Sequence, residues 1–146
     1  MLNNKNAFTM IELVFVIVVL GILAAVAIPK FAVTRKDAEI AKGRADIASV
    51  RSAIVTERQS RLIKGDPLFI AGDALDNNGI FGGVLMYGVA SGTSSGHWST
   101  TGTADANTSK YNYNVAGTNV EFTYSRSSGK FDCTTSTATY CAELTH

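Results

Sequence analysis

The chain has 146 residues, 46% of them hydrophobic and 17% charged, with 13 Lys and Arg against 12 Asp and Glu. That length holds one domain plus an appendage, and the balance of charge excludes a strongly basic nucleic-acid binder. The even total hides two opposed blocks: residues 30–64 carry 9 basic and 4 acidic side chains (+5), while residues 65–146 carry 3 and 7 (−4).

The apolar residues concentrate at the N-terminus. From Phe8 to Ile28 the sequence runs for 21 residues with Glu12 as its only charge, and as a helix it would be about 31 Å long, enough to cross a bilayer core. Three readings are open: a cleaved secretory signal, a plain membrane anchor, or an anchor that also mediates assembly. Lys5, the apolar run and the small-x-small triplet Ala25-Val26-Ala27 favour the first. Glu12 at the head of the apolar run, and a helical pattern that continues past the triplet to Pro29, count against it.

Thr9-Met10-Ile11-Glu12 has the form of a capping box, with the Thr9 hydroxyl and the Glu12 carboxylate satisfying free amide donors of the first turn. A cap leaves the cost of the carboxylate unexplained. Within a span it is penalised by about 2.5–3.5 kcal/mol at the bilayer centre unless it is paired or lies near the interface.

The run Ala7-Phe8-Thr9-Met10-Ile11-Glu12-Leu13, followed by Gly21-Ile22-Leu23-Ala24-Ala25 and Ala27-Ile28-Pro29, closely resembles the signal and first helix of type IV prepilins and type II secretion pseudopilins. The resemblance implies that an inner-membrane prepilin peptidase removes Met1 to Ala7 and methylates the new amino group of Phe8. The family usually has Gly before the cut, where this chain has Ala7, the nearest residue in size. It also implies that Glu12 pairs with the N-terminal amine of a neighbouring subunit during filament assembly, since a buried ammonium and a buried carboxylate are each costly alone. Gly21 and Pro29 match family positions too, and both weaken a helix locally, so this stretch is a candidate to lose helicity in a filament.

After Pro29 the pattern becomes periodic. Val33, Ile40, Ile47 and Ile54 recur every seven residues, widened by Ala41, Ala48, Val50 and Val55, while charged residues including Glu39, Asp46, Arg51 and Arg61 occupy the other face. Gly65-Asp66-Pro67 supplies the stop, so the helix is expected from about Thr9 to about Lys64. The seam positions Lys36, Gly43 and Glu57 argue against a coiled coil, and the stripe is expected to dock on the C-terminal domain.

Residues 65–146 show strand patterns. Tyr111, Tyr113 and Val115 alternate with polar residues, as do Val120, Phe122 and Tyr124 after the turn Ala116 to Asn119, and Phe131 and Cys133 follow Ser127-Ser128-Gly129. A three-stranded antiparallel meander with one aromatic face results, its cover being the helix stripe. The expected fold is α+β and pilin-like, divided into a leader (1–7), a membrane or filament-core helix (8–29), an amphipathic half (30–64) and a β-rich domain (65–146).

Cys133 and Cys141 are the only cysteines; in an exported chain they should form one disulfide, worth about 2.5 kcal/mol on the chain-entropy scale. Pilins often bracket a C-terminal surface loop this way. A metal or redox pair is the alternative, without Cys-x-x-Cys spacing or clustered His to support it. Residues 91–109 hold ten Ser or Thr and read as an exposed loop, with Trp98 packed at the domain edge. Within it, Asp105-Ala106-Asn107-Thr108-Ser109 matches an acceptor sequon for glycosylation of Asn107, with an acidic residue two positions before the Asn. Asp73, Asp76, Asn77 and Asn78 crowd before Gly79 and offer calcium-type oxygen ligands. Major pseudopilins often bind calcium, but the spacing here does not match an EF-hand loop, and such clusters are first of all turn formers.

The leading function is a structural subunit that polymerises into a type IV pilus or secretion pseudopilus. Its expected partners are other copies of itself, the prepilin peptidase, an inner-membrane assembly platform and, before assembly, the lipid bilayer. It is expected to sit in a bacterial inner membrane as a single-pass protein with a periplasmic C-terminal domain. No cofactor, resident metal or nucleic acid is implied. An enzyme is the runner-up, opposed by an inventory in which His97 and His146 are the only histidines and no nucleophile elbow, P-loop or zinc motif appears. A secreted soluble binding domain is the third option.

Overall fold

A computed structural model describes residues 8–146; Ala7, the residue before the expected cut, lies outside them. Helix α1 (Met10–Ile63) is followed by a 3-10 turn (Gly72–Ala74), strands β1 (Trp98–Thr100), β2 (Thr108–Val115), β3 (Thr118–Ser125) and β4 (Lys130–Cys133), and a short helix α2 (Cys141–Thr145). The architecture is α+β and pilin-like, one long N-terminal helix plus a small antiparallel sheet. Two compact units divide between Arg35 and Lys36, so α1 contributes to both.

In the first unit α1 buries nothing. Apart from a half-buried Ala27, side chains from Phe8 to Val33 are exposed, Phe15 at 68% and Ile17 at 58%, and this is the part of α1 apolar enough to cross a membrane. The helix runs through Gly21 and Pro29 without a break. Pro29 lacks an amide donor, and the Thr34 hydroxyl donates to the Lys30 carbonyl (3.0 Å) one turn later.

In the second unit the sheet has strand order β1-β2-β3-β4, every pair antiparallel. The expected meander corresponds to β2–β4, in register Tyr111↔Phe122, Tyr113↔Val120 and Tyr124↔Phe131. A fourth strand was missed: Trp98–Thr100 pairs with Tyr111–Tyr113 along the free edge of β2. It is short, with Ser and Thr at two of its three positions, and so carries no alternating apolar signal.

Residues Ile40, Gly43, Ile47, Val50 and Ile54 of α1 are buried and join the aromatic face of the sheet in one core. Part of the expected stripe is corrected here: Ala41, Ala48 and Val55 are exposed, because the buried face is narrow and centred on the 40/47/54 row. Val33 belongs to the first unit and is exposed as well. Gly43 explains the narrowness. A Cβ at that position would lie 2.5 Å from Tyr113 Cε1 and 2.7 Å from a Leu144 methyl, so the bare backbone lets β2 and α2 approach the helix.

Trp98 sits on the edge strand, yet its ring is wholly buried. It packs edge-on against Phe81 (5.4 Å between centroids) and tilted against Tyr113 (4.8 Å). Every polar tip in this cluster finds a partner. Trp98 Nε1–H donates to Asp46 (3.0 Å), Tyr113 OH to the Glu39 carbonyl (2.6 Å), Tyr124 OH to the Ile70 carbonyl (2.8 Å) and Tyr111 OH to Asp76 (3.0 Å). Asp46 and Glu39, assigned above to the polar helix face, are therefore structural acceptors, and Glu39 is only 8% exposed.

Candidate functional site

The N-terminal segment is built by a helix start. The Glu12 amide donates to Thr9 Oγ1 (3.3 Å), and the Leu13 amide to the Thr9 carbonyl (3.2 Å). The first half of the capping box is thus formed. The second half differs: the Thr9 hydroxyl donates a hydrogen bond to the Glu12 carboxylate (3.5 Å), because a hydroxyl can accept from an amide and donate to a carboxylate at once. Glu12 therefore lies in the first turn of α1, about one turn along from Phe8, where the helix dipole favours a negative group. Phe8 is exposed (80%). Chemically, this end presents an apolar helix with no internal cover and a carboxylate held by a bond of marginal length.

At the other end of the chain Cys133 and Cys141 form a disulfide, Cα atoms 6.2 Å apart, across a separation of 8 residues. It ties α2 to β4. Leu144 of α2 is buried against the Gly43 notch, and Arg44 of α1 donates to the Glu143 carbonyl. A cleft of about 550 Å³ opens beside the disulfide, bordered by Arg51, Val55, Phe131 and Ala142.

The acidic cluster is divided. Asp76 Oδ1 already accepts the Phe81 amide (3.2 Å) and the Tyr111 hydroxyl (3.0 Å), Asp73 lies in the 3-10 turn, and Asn78 adopts a left-handed conformation (φ 69°) before Gly79. Among the described residues no group of three or more His, Cys, Asp or Glu is placed to hold a metal. These residues act as turn formers, and burial followed by the neighbouring Asp76 charge pushes the Tyr111 hydroxyl far above its ordinary value.

The sequon closes a turn. Asp105 Oδ1 accepts the amides of Asn107 (2.7 Å) and Thr108 (2.6 Å), and Oδ2 accepts the Thr108 hydroxyl (3.1 Å). The Thr108 amide first, then the Asn107 amide, hold the Asp105 carboxyl below the usual range. Asn107 is exposed immediately before β2, whereas Ser109 within it is 2% exposed.

The interactions that sequence reasoning missed are Gly43, the Trp98–Asp46 pair and the Glu39 carboxylate, which accepts the Ala116 amide (2.9 Å) in the β2–β3 turn. A glycine midway between Ile40 and Ile47, on the buried row, was the available signal for the first. The other two join residues 52 and 77 apart in sequence, a separation that no local pattern encodes.

Residues 2–28 match the family model of the prokaryotic N-terminal methylation motif, the signature of type IV prepilins and pseudopilins. No curated protein and no solved structure matches the chain.

Proposed function

We propose that this protein is a prepilin-like structural subunit, cut after Ala7 and N-methylated at Phe8 by a prepilin peptidase, that polymerises into a type IV pilus or a type II secretion pseudopilus. The observation that carries the reading is the conjunction, within the matched motif, of an uncovered apolar helix and a single carboxylate one turn from its start. A helix with no internal cover requires an external one. Lipid supplies it before assembly and neighbouring helices supply it afterwards, while residues 36–146 remain outside the bilayer on the periplasmic side.

In this reading Glu12 leaves Thr9 to meet the Phe8 amine of the next subunit. Each charge is costly in apolar surroundings and tolerable once paired, so the pair sets the axial register. Gly21 and Pro29 are the places where α1 gives way on packing. The assembly platform and other copies of the chain are the partners, and the role is structural rather than enzymatic.

Glu12→Ala tests the pairing. It should leave the chain in the membrane and cut by the peptidase, yet reduce crosslinking between neighbouring subunits by tenfold or more. Normal crosslinking in the variant would overturn the role given to Glu12.

A further inference from the structure

The sequon Asp105-Ala106-Asn107-Thr108-Ser109 is a motif that filament assembly does not use. An acceptor Asn is read together with the hydroxyl two residues later, and the acid two residues before it resembles the extended sequon of some bacterial oligosaccharyltransferases. In the folded domain the three groups have different fates. Asn107 is exposed, and its main chain is fixed at the turn, its carbonyl accepting the Arg126 amide (2.8 Å). Asp105 is occupied by two amides and a hydroxyl. Ser109 lies within β2 opposite Tyr124 of β3, under the backbone of Gly72, where a Cβ would fall 2.8 Å from Ser109 Oγ.

A transferase approaching the folded domain therefore meets the amide but neither flanking determinant. Before β2 joins β3, all three lie on one extended segment. We infer that Asn107 is a glycan acceptor read on the unfolded chain during export, and that folding of β2 then closes the site to further modification.

The step balances with a polyprenyl-diphosphate-linked glycan as donor. The Asn107 side-chain nitrogen forms a bond to the anomeric carbon, the bond from that carbon to the diphosphate oxygen breaks, the lipid diphosphate leaves with the electron pair, and the amide gives up one proton. The product is stable in the fold, because Asn107 points its side chain from an exposed turn and β2 begins only at Thr108.

The inference rests on the exported topology proposed above. The full chain would be produced in cells that also make an oligosaccharyltransferase requiring an acidic residue two positions before the Asn, together with its lipid-linked glycan. Mass spectrometry should find a glycan on the peptide containing Asn107, lost in Asn107→Gln and in Ser109→Ala, two substitutions that leave the turn bonds of Asp105 in place. Purified folded chain, incubated with the same enzyme and donor, should gain at least tenfold less glycan than a synthetic peptide of residues 101–113 in the same tube. A bare Asn107 in cells, with the peptide modified, overturns the acceptor assignment; protease accessibility of the C-terminal domain in those cells then separates failure of the acceptor from failure of the topology. Equal modification of folded chain and peptide overturns the claim that folding closes the site.

Discussion

At Gly43 two effects of opposite sign meet. In an ordinary helix interior, replacing Gly by Ala gains about 1 kcal/mol of helix propensity. Here the added methyl would fall 2.5 Å from the Tyr113 ring and 2.7 Å from Leu144, and overpacking of this kind costs about 1–3 kcal/mol. The clash should win, because the buried ring atoms cannot easily move aside, so Gly43→Ala should lower stability by up to about 2 kcal/mol in urea unfolding of the full chain in detergent. The buried tyrosines set a second residue-scale expectation. Burial first, then the Asp46 and Glu39 charges, push Tyr113 up to about 12; burial does the same for Tyr124, also to about 12, against the opposing pull of Arg126 and Arg61. In the unfolded chain both titrate near pH 10, as tyrosine ordinarily does. Their contribution to stability is thus complete below about pH 10 and lost as pH rises from about 10 to about 12, because the unfolded state releases its protons first. Circular dichroism against pH should show the sheet intact at pH 9 and lost within that window, with a shallower loss in Tyr124→Phe.

Among the elements, the β2–β3 hairpin shows how local sequence and distant contacts divide the work. Its two loop residues both have positive φ, Ala116 at 49° and Gly117 at 84°. Such a turn suits Asn-Gly, whereas an Ala in the left-handed region costs about 1–2 kcal/mol. Glu39 offsets part of that by accepting the Ala116 amide. Ala116→Asn should therefore raise stability by about 0.5–1 kcal/mol in the same urea assay, provided the Glu39 bond is kept; no gain would mean that the turn is not strained. The hairpin was legible in the sequence because alternation and a Gly turn are local signals, and α1 was legible from its period and its stop. Strand β1 was not. Its three residues hold one apolar side chain, and what fixes them is the free edge of β2 together with a Trp98–Asp46 bond spanning 52 residues. Exposure of Ala41, Ala48 and Val55 was hidden for a similar reason, since the width of a buried face depends on how closely the sheet approaches, and Gly43 decides that.

For the whole molecule, the opposed charge blocks take on a different meaning once the fold is known. In the sequence the basic residues of 30–64 and the acidic residues of 65–146 stand as separate blocks. In the fold, much of that charge is used within the second unit: Arg51 pairs with Asp132 (3.1 Å) and donates to the Phe131 carbonyl (2.9 Å), Arg61 pairs with Asp66 (3.0 Å), Lys42 donates to the Gly96 carbonyl and Arg44 to that of Glu143. The exposed pairs add little stability individually, about 0–1 kcal/mol, but they orient the domain on its own helix. Among the described residues of the first unit the apolar side chains are left uncovered, and the proposed function follows from that contrast between a covered half and an uncovered one. The most direct test is mass spectrometry of the N-terminus of the chain isolated from membranes of cells that contain a prepilin peptidase. The account predicts a chain that begins at Phe8 and carries one methyl group on its amine; a chain that keeps Met1, or one that begins at Ile28, would contradict it.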